Sequence, residues 1–299
     1  MINNASALSA LRTLESINNQ INTTNQRISS GRSIGSAADG PSQWSIATRI
    51  ESENATLSPV RDALSIGRAT MDVTTTGLSA VNTALQDMRN LLVSARQLGA
   101  DRASIQNEIA GLLTGMQSTA QSSVLNGENY LAIADSATEN MTKSVLSNVS
   151  GSGANLSVST IDLNITDVIL TDAAAGTGIL DQTRTVGGQT TSVLNIDVSG
   201  IADGDVADID DLIGIVDAAI TEVISAEARL GAAISQIDSA DNFLSSLSTA
   251  YSNASGGLVN ANLEEESARL QALQTQQQLA IESLAIANET SASILTLFR

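Results

Sequence analysis

The run LVNANLEEESARLQALQTQQQLAIESLAIANETSASILTLFR, residues 258–299, decides how the chain folds. Leu270, Leu273, Gln277, Ala280, Leu284, Ala287, Ser291, Ile294 and Phe298 follow one another in alternating steps of three and four. That rhythm places them on one narrow seam of a helix, the pattern of a coiled coil. Asn262 with Glu265 three residues on has the form of a capping box, and Glu264 to Glu266 suit the positive end of the helix. The glutamine-rich LQALQTQQQL keeps the spacing, which argues against low complexity.

The opposite end of the chain carries the same seam. Ala7, Ala10, Leu14, Ile17, Ile21, Thr24 and Ile28 repeat the three-and-four rhythm until Ser29-Ser30-Gly31. A helix of about 38 residues is about 57 Å long at ~1.5 Å per residue. With one narrow stripe it cannot satisfy its apolar side alone. The two ends pair most simply with each other, antiparallel, and their remaining apolar surface calls for further copies of the chain.

Between the ends, GRSIGSAADGPS (31–42) holds three glycines and Pro41 and reads as a loop. Helix resumes near Ser42 and carries Leu64, Met71, Leu78, Val81, Leu85, Met88, Leu92 and Ala95, with a kink or a fresh start expected at Pro59. Gly99 stops it, and Asp101 caps a next helix bearing Ile105, Ile109, Leu112 and Met116, which ends before the turn pair Asn126-Gly127. A hairpin is expected over Tyr130–Thr142. Short alternating runs follow at Leu156/Val158, Ile161/Leu163/Ile165 and Leu194/Ile196/Val198, and from 144 to 205 the one basic residue is Arg184. They predict a small β-rich insert with a solvated acidic surface. Helix returns near Asp208, with Val216, Ile220, Val223, Leu230, Ile234, Ile237, Leu244 and Tyr251 on its stripe, and is expected to break at Gly256-Gly257.

Composition narrows the function. There is no cysteine and no histidine, which excludes disulfides, thiol nucleophiles, Cys/His zinc sites and imidazole acid–base chemistry. No paired-carboxylate motif stands out. The net charge of −18 argues against nucleic acid. Two Phe, two Tyr and one Trp are too few for an ordinary globular core, and two prolines in 299 residues suit long helices. No apolar run approaches the roughly 18 residues of a membrane span. MINNASALSALRTLES lacks the form of a cleaved signal peptide, which alone would suggest the cytosol.

Several segments resemble the bacterial flagellin family: RISSGRSIGSAADGPSQWSIATRI (27–50), SIQNEIAGL (104–112), LNGENYL (125–131) and the run 258–299. The likeness spans roughly 1–142 and 206–299, and SQWSIA is similar to alphaproteobacterial members. It implies a mainly α fold: an inner-core coiled coil from 1–40 and 258–299, a helical rod with a β-hairpin from 41–142 and 206–257, and a surface-exposed variable unit at 143–205. On this layout a chain lacking 144–205 is expected still to polymerise. The implied function is a structural subunit of the extracellular swimming filament, with Leu14, Ile17, Ile21, Ile28, Leu270, Leu273, Leu284, Ile294 and Phe298 packing the filament core. Implied partners are other copies or other flagellins, an export chaperone on the C-terminal helix, the type III export apparatus, and hook-associated and cap proteins. No cofactor, metal or membrane enters. Two other readings are the hook–filament junction protein, which shares the terminal regions, and an enzyme on the same scaffold; the zinc-protease form of the latter needs histidines that are absent. Family members seen by the flagellin-sensing Toll-like receptor carry an Arg, a Leu and a Glu on two rod helices. Leu91 and Glu108 match, whereas Asp87 stands at the arginine position, which reverses the charge of a polar anchor.

Overall fold

A computed structural model describes residues 5–150 and 157–297, the side chains of 150 and 290–297 excepted. The chain forms two compact units, Met1–Ala55 with Leu247–Arg299, and Thr56–Ser246.

In the first unit α1 (Ala5–Ser30) pairs with α6 (Leu263–Leu297). Helix α1 stops where Gly31 turns to φ +70, a left-handed conformation that costs glycine little. The chain then lies against the end of α5 (Val206–Val259): Arg32 bridges Asn260, the Ser33 and Ile34 amides donate to the Val259 carbonyl, and the Ala261 amide donates to Gly31. The following loop closes on Asp39, whose carboxylate accepts from both the Gly35 and Ser36 amides and the Ser36 hydroxyl. These bonds hold the Asp39 carboxyl below its ordinary range, the Ser36 hydroxyl contributing most. Pro41 opens α2 (Pro41–Ala55), where its missing N–H costs nothing.

Two expectations fail here. Gly256-Gly257 does not break the helix. Helix α5 continues to Val259, and the Asn260 amide still reaches the Gly256 carbonyl. Glycine costs about 1 kcal/mol in a helix, but this last turn is held from outside by Val259, which is buried and bonded to Ser33, and by Ser255, which donates to Glu51. The capping box is half formed. Asn262 accepts from the Glu264 amide, but the Glu265 carboxylate pairs with Arg269 instead of turning back.

In the second unit α3 (Leu57–Ala95) starts afresh after Thr56, so Pro59 falls in its first turn, where the lost donor has no partner anyway. Leu57, Val60, Leu64, Met71, Thr74, Leu78, Val81, Leu85, Met88, Leu92 and Ala95 are buried in a three-and-four rhythm that skips once, at the half-buried Gly67. Helix α5 answers with Ile209, Leu212, Val216, Ala219, Val223, Ala226, Leu230, Ala233 and Ile237. Helix α4 (Arg102–Ser122) packs on α3, and Asp101 caps it by accepting from the Ser104 amide. Its first residue, Arg102, is buried; the guanidinium donates to the carbonyls of Ala95 and Ile201 and to Asp203, so it closes the end of α3 and ties down the return segment before α5.

The expected hairpin lies earlier than Tyr130–Thr142. Strands β1 (Val124–Leu125) and β2 (Glu128–Asn129) pair across Asn126-Gly127, whose φ values of 53 and 83 make a type I′ turn. Two residues per strand leave too little alternation to read. Beyond it, β3 (Ala132–Ile133) runs parallel to β6 (Thr171–Asp172), β4 (Thr142–Ser150) pairs antiparallel with β5 (Ser157–Asn164), and β7 (Arg184–Val186) with β8 (Gln189–Thr191). The run Leu194/Ile196/Val198 is not a strand. The Gln106 side-chain amide of α4 donates to the Ile196 carbonyl and accepts from the Val198 amide, taking the place of a partner strand.

The insert rests on α3 at Gly67, and the segment before the insert rests on it at Gly77. A Cβ on Gly67 would stand 2.6 Å from Val145, and one on Gly77 would stand 2.4 Å from the Ser123 hydroxyl and 2.5 Å from Leu131. Inside the insert, Asp172 is 2% exposed. It accepts from the Ala174 and Ala175 amides and from Thr177, while its own amide donates to Asp181. Burial disfavours its charge, but these donors and Ser136 outweigh that and hold its carboxyl below the ordinary range. For Asp181, burial dominates and pushes the carboxyl up. Lys143, the chain's one lysine, donates to Glu128 and lies 5.7 Å from the centre of the Tyr130 ring.

Candidate assembly surfaces

The α1–α6 seam is built from both ends of the sequence. Ile17, Leu273 and Ala280 form its buried cluster, with Leu14 and Ile21 packed against it. Around the cluster Arg27 pairs with Glu266 at 3.3 Å and Gln277 donates to Asn18 at 2.6 Å. Low numbers on α1 face high numbers on α6, so the pair is antiparallel. Leu270, Leu284 and Ile28 are half-buried on the same stripe. The side chain of Ile294, and Phe298 altogether, lie outside the described residues. Away from the seam, Leu8 and Leu11 of α1 and Leu279, Ile281 and Ile286 of α6 are exposed, each by about half or more.

On the second unit a ladder of ion pairs joins α3 to α5, and sequence reading missed it. Arg61 meets Asp241, Arg68 meets Asp238, Arg89 meets Asp217 and Arg96 meets Asp210. From 68 to 89 to 96 along α3, the partner moves from 238 to 217 to 210, equal steps in the opposite direction. The four arginines are spaced by sevens and their multiples, so they flank one side of the seam as e and g residues do. That spacing was open to view in the sequence. The pairs are largely exposed, so solvent screens them and each adds little to stability. They fix register more than stability, since they favour one alignment of two seams that are alike along their length.

Asp87 and Leu91 stand one turn apart on α3, Asp87 exposed and Leu91 half-buried, and Glu108 is exposed on the adjoining helix α4. Among the described residues no three carboxylates are placed to hold a metal, and no helix is long and apolar enough to cross a membrane.

Comparison with known proteins accounts for this architecture. Residues 2–138 match the bacterial flagellin N-terminal helical region and residues 213–298 the bacterial flagellin C-terminal helical region. Flagellin C of Rhizobium meliloti is 36% identical, with 100% of this chain and 99% of the relative covered. Flagellin A of the same organism is 33% identical at the same coverage, and a flagellin of Brucella melitensis is 36% identical, again over 100% and 99%. A solved structure from Vibrio parahaemolyticus, assigned as a flagellar hook-associated protein, aligns with a TM-score of 0.50 over 74% of this chain and 100% of that one. At 18% identity it speaks to the fold alone. The paired terminal helices, the ion-paired α3 and α5 and flagellin relatives matched along their whole length lead to one assignment: the chain belongs to the bacterial flagellins, structural proteins rather than enzymes, which polymerise into the extracellular filament of the flagellum.

Proposed function

We propose that the chain divides the work of the filament along its length. Residues 1–40 and 258–299 make the inner coiled coil, 41–142 and 206–257 the rod, and 143–205 the outward surface. The observation that carries this reading is the second apolar face on the terminal helices. Leu14, Ile17 and Leu273 serve the seam, while Leu8, Leu11 and Leu279 are each exposed by about half or more among the described residues. A helix apolar on two sides needs neighbours on both, and a helical polymer supplies them. Cryo-electron microscopy of filaments grown from the purified chain tests the layout. Leu279 and Ile286 are expected to be buried against adjacent subunits, and finding them on the filament's outer wall would overturn it. The same naked face explains why an export chaperone would shield this helix before the chain passes through the type III export channel, and hook-associated and cap proteins would meet the filament at its ends.

The rod face bearing Asp87, Leu91 and Glu108 is a poor ligand for the flagellin-sensing Toll-like receptor on this reading, because an exposed acid stands where an arginine is needed. Asp87→Arg is expected to raise reporter-cell activation by about tenfold, the effect of roughly 1.4 kcal/mol at one charged contact. Strong activation by the unaltered chain would end this part of the proposal.

A further inference from the structure

The described chain holds three Asx-Gly pairs able to cyclise through the backbone: Asp39-Gly40, Asn126-Gly127 and Asp203-Gly204. Two of them are locked. The Asp39 carboxylate accepts from two amides and a hydroxyl, and Asp203 is gripped by Arg102. The Asn126 carboxamide is exposed, and no hydrogen bond of the described structure restrains it. The strand register ends at Leu125 and Glu128, so the Gly127 amide lies beyond the last rung. Gly127 has nothing within 4 Å of the place a Cβ would take, which leaves the approach to its nitrogen open. Asn126 is also the one non-glycine described with a positive φ. Paired with a strand of only two residues, such a turn opens often, and opening lets the backbone swing into reach of the side chain.

We propose that Asn126 is a site of spontaneous deamidation in the folded chain. The Gly127 nitrogen, its proton lost to solvent base, attacks Cγ of Asn126. A C–N bond forms, the carboxamide C–N bond breaks, and ammonia leaves with a proton from water. The resulting five-membered succinimide takes up water at either carbonyl and opens to aspartate or isoaspartate; nothing is oxidised or reduced. The isoaspartyl product adds one backbone carbon to a loop that closes on two residues. The hairpin it disturbs carries Asn129, whose amide group donates to the Ala120 and Gln121 carbonyls at the end of α4 and accepts from the Leu131 and Ala132 amides. It also carries Glu128, the partner of Lys143. Deamidation thus places a new carboxylate and a longer backbone beside the contacts that seat Leu131 over Gly77.

The test incubates the native full-length chain and a denatured sample in mildly alkaline buffer at body temperature, then maps products by tryptic peptide mass and isoaspartyl methyl-transfer assay. Asn126→Gly is the control, since Gly-Gly keeps a type I′ turn and removes the carboxamide. In the native chain, the peptide spanning Ala103–Lys143 is expected to convert at Asn126 at least five times faster than any other asparagine, within tenfold of the denatured rate. The control should show no isoaspartate there. A native chain that stays unmodified at Asn126 while the denatured one converts would overturn the proposal, as would equal conversion at several other asparagines.

Discussion

Leu273→Asp is expected to abolish polymerisation while leaving the second unit folded. Leu273 is 4% exposed and clusters with Ile17 of α1 and with Ala280 of its own helix in the α1–α6 seam. A carboxylate there would be buried without a cation: the nearby arginines, Arg27 and Arg269, are already committed to Glu266 and Glu265. The cost is several kcal/mol per subunit, and a polymer repeats it at every copy, so no concentration within reach of experiment restores assembly. The second unit contains none of the seam residues, so its helices should melt as in the parent. Sedimentation under filament-forming conditions and circular dichroism of the monomer read the two effects separately. Normal pelleting by the variant would show that this seam does not assemble the filament.

The second large effect concerns the insert. Removing 144–205 takes away Ile201 and Asp203, two of the three anchors of the buried Arg102 guanidinium. It also takes away Val145, which fills the space over Gly67. A buried cation stripped of its partner costs about 3–5 kcal/mol. A chain lacking 144–205 is therefore expected to lose roughly 10–20 °C of rod melting temperature, whereas one lacking only 144–199 keeps the Arg102 anchors and should lose clearly less. Polymerisation at low temperature should survive in both, because the terminal seam is untouched. Equal melting of the two deletions would show that Arg102 and the return segment do not brace the rod.

How much of this was open to sequence reading follows a physical line. The seams were legible because burial on a helix repeats every three or four residues: Leu64, Met71, Leu85 and Leu92 on α3 are all buried, and so are Ile17 and Leu273. Helix ends set by local chemistry, such as Gly31 and Asp101, were legible because the deciding groups are neighbours in sequence. What failed was decided by distant contacts. Gly256-Gly257 stays helical because Ser33 and Glu51 hold the turn from more than 200 residues away, and Ile196 and Val198 forgo a strand because the Gln106 side chain pairs with them first. The type I′ hairpin was too short for alternation to register. The arginine ladder on α3 lay between: its spacing is in the sequence, but its meaning needs the antiparallel alignment of α5. For the candidate assembly residues, the seam face was readable and the second, outward face was not, because a helix apolar on two sides blurs its own periodicity.

The chain's preference for arginine leaves one further consequence. With 13 arginines and one lysine, Lys143, there is a single side-chain amine for acylating dyes to find. That amine is 18% exposed, bonded to Glu128 at 2.8 Å and seated by Tyr130, and its bond to Glu128 raises its pKa above the ordinary lysine value. Only the neutral amine acylates, so the one side-chain target is both shielded and held in its unreactive form. A filament made of this chain should therefore stain faintly with succinimidyl fluorophores that light up lysine-rich filaments, and cysteines introduced on its surface would be the practical handle for watching it turn.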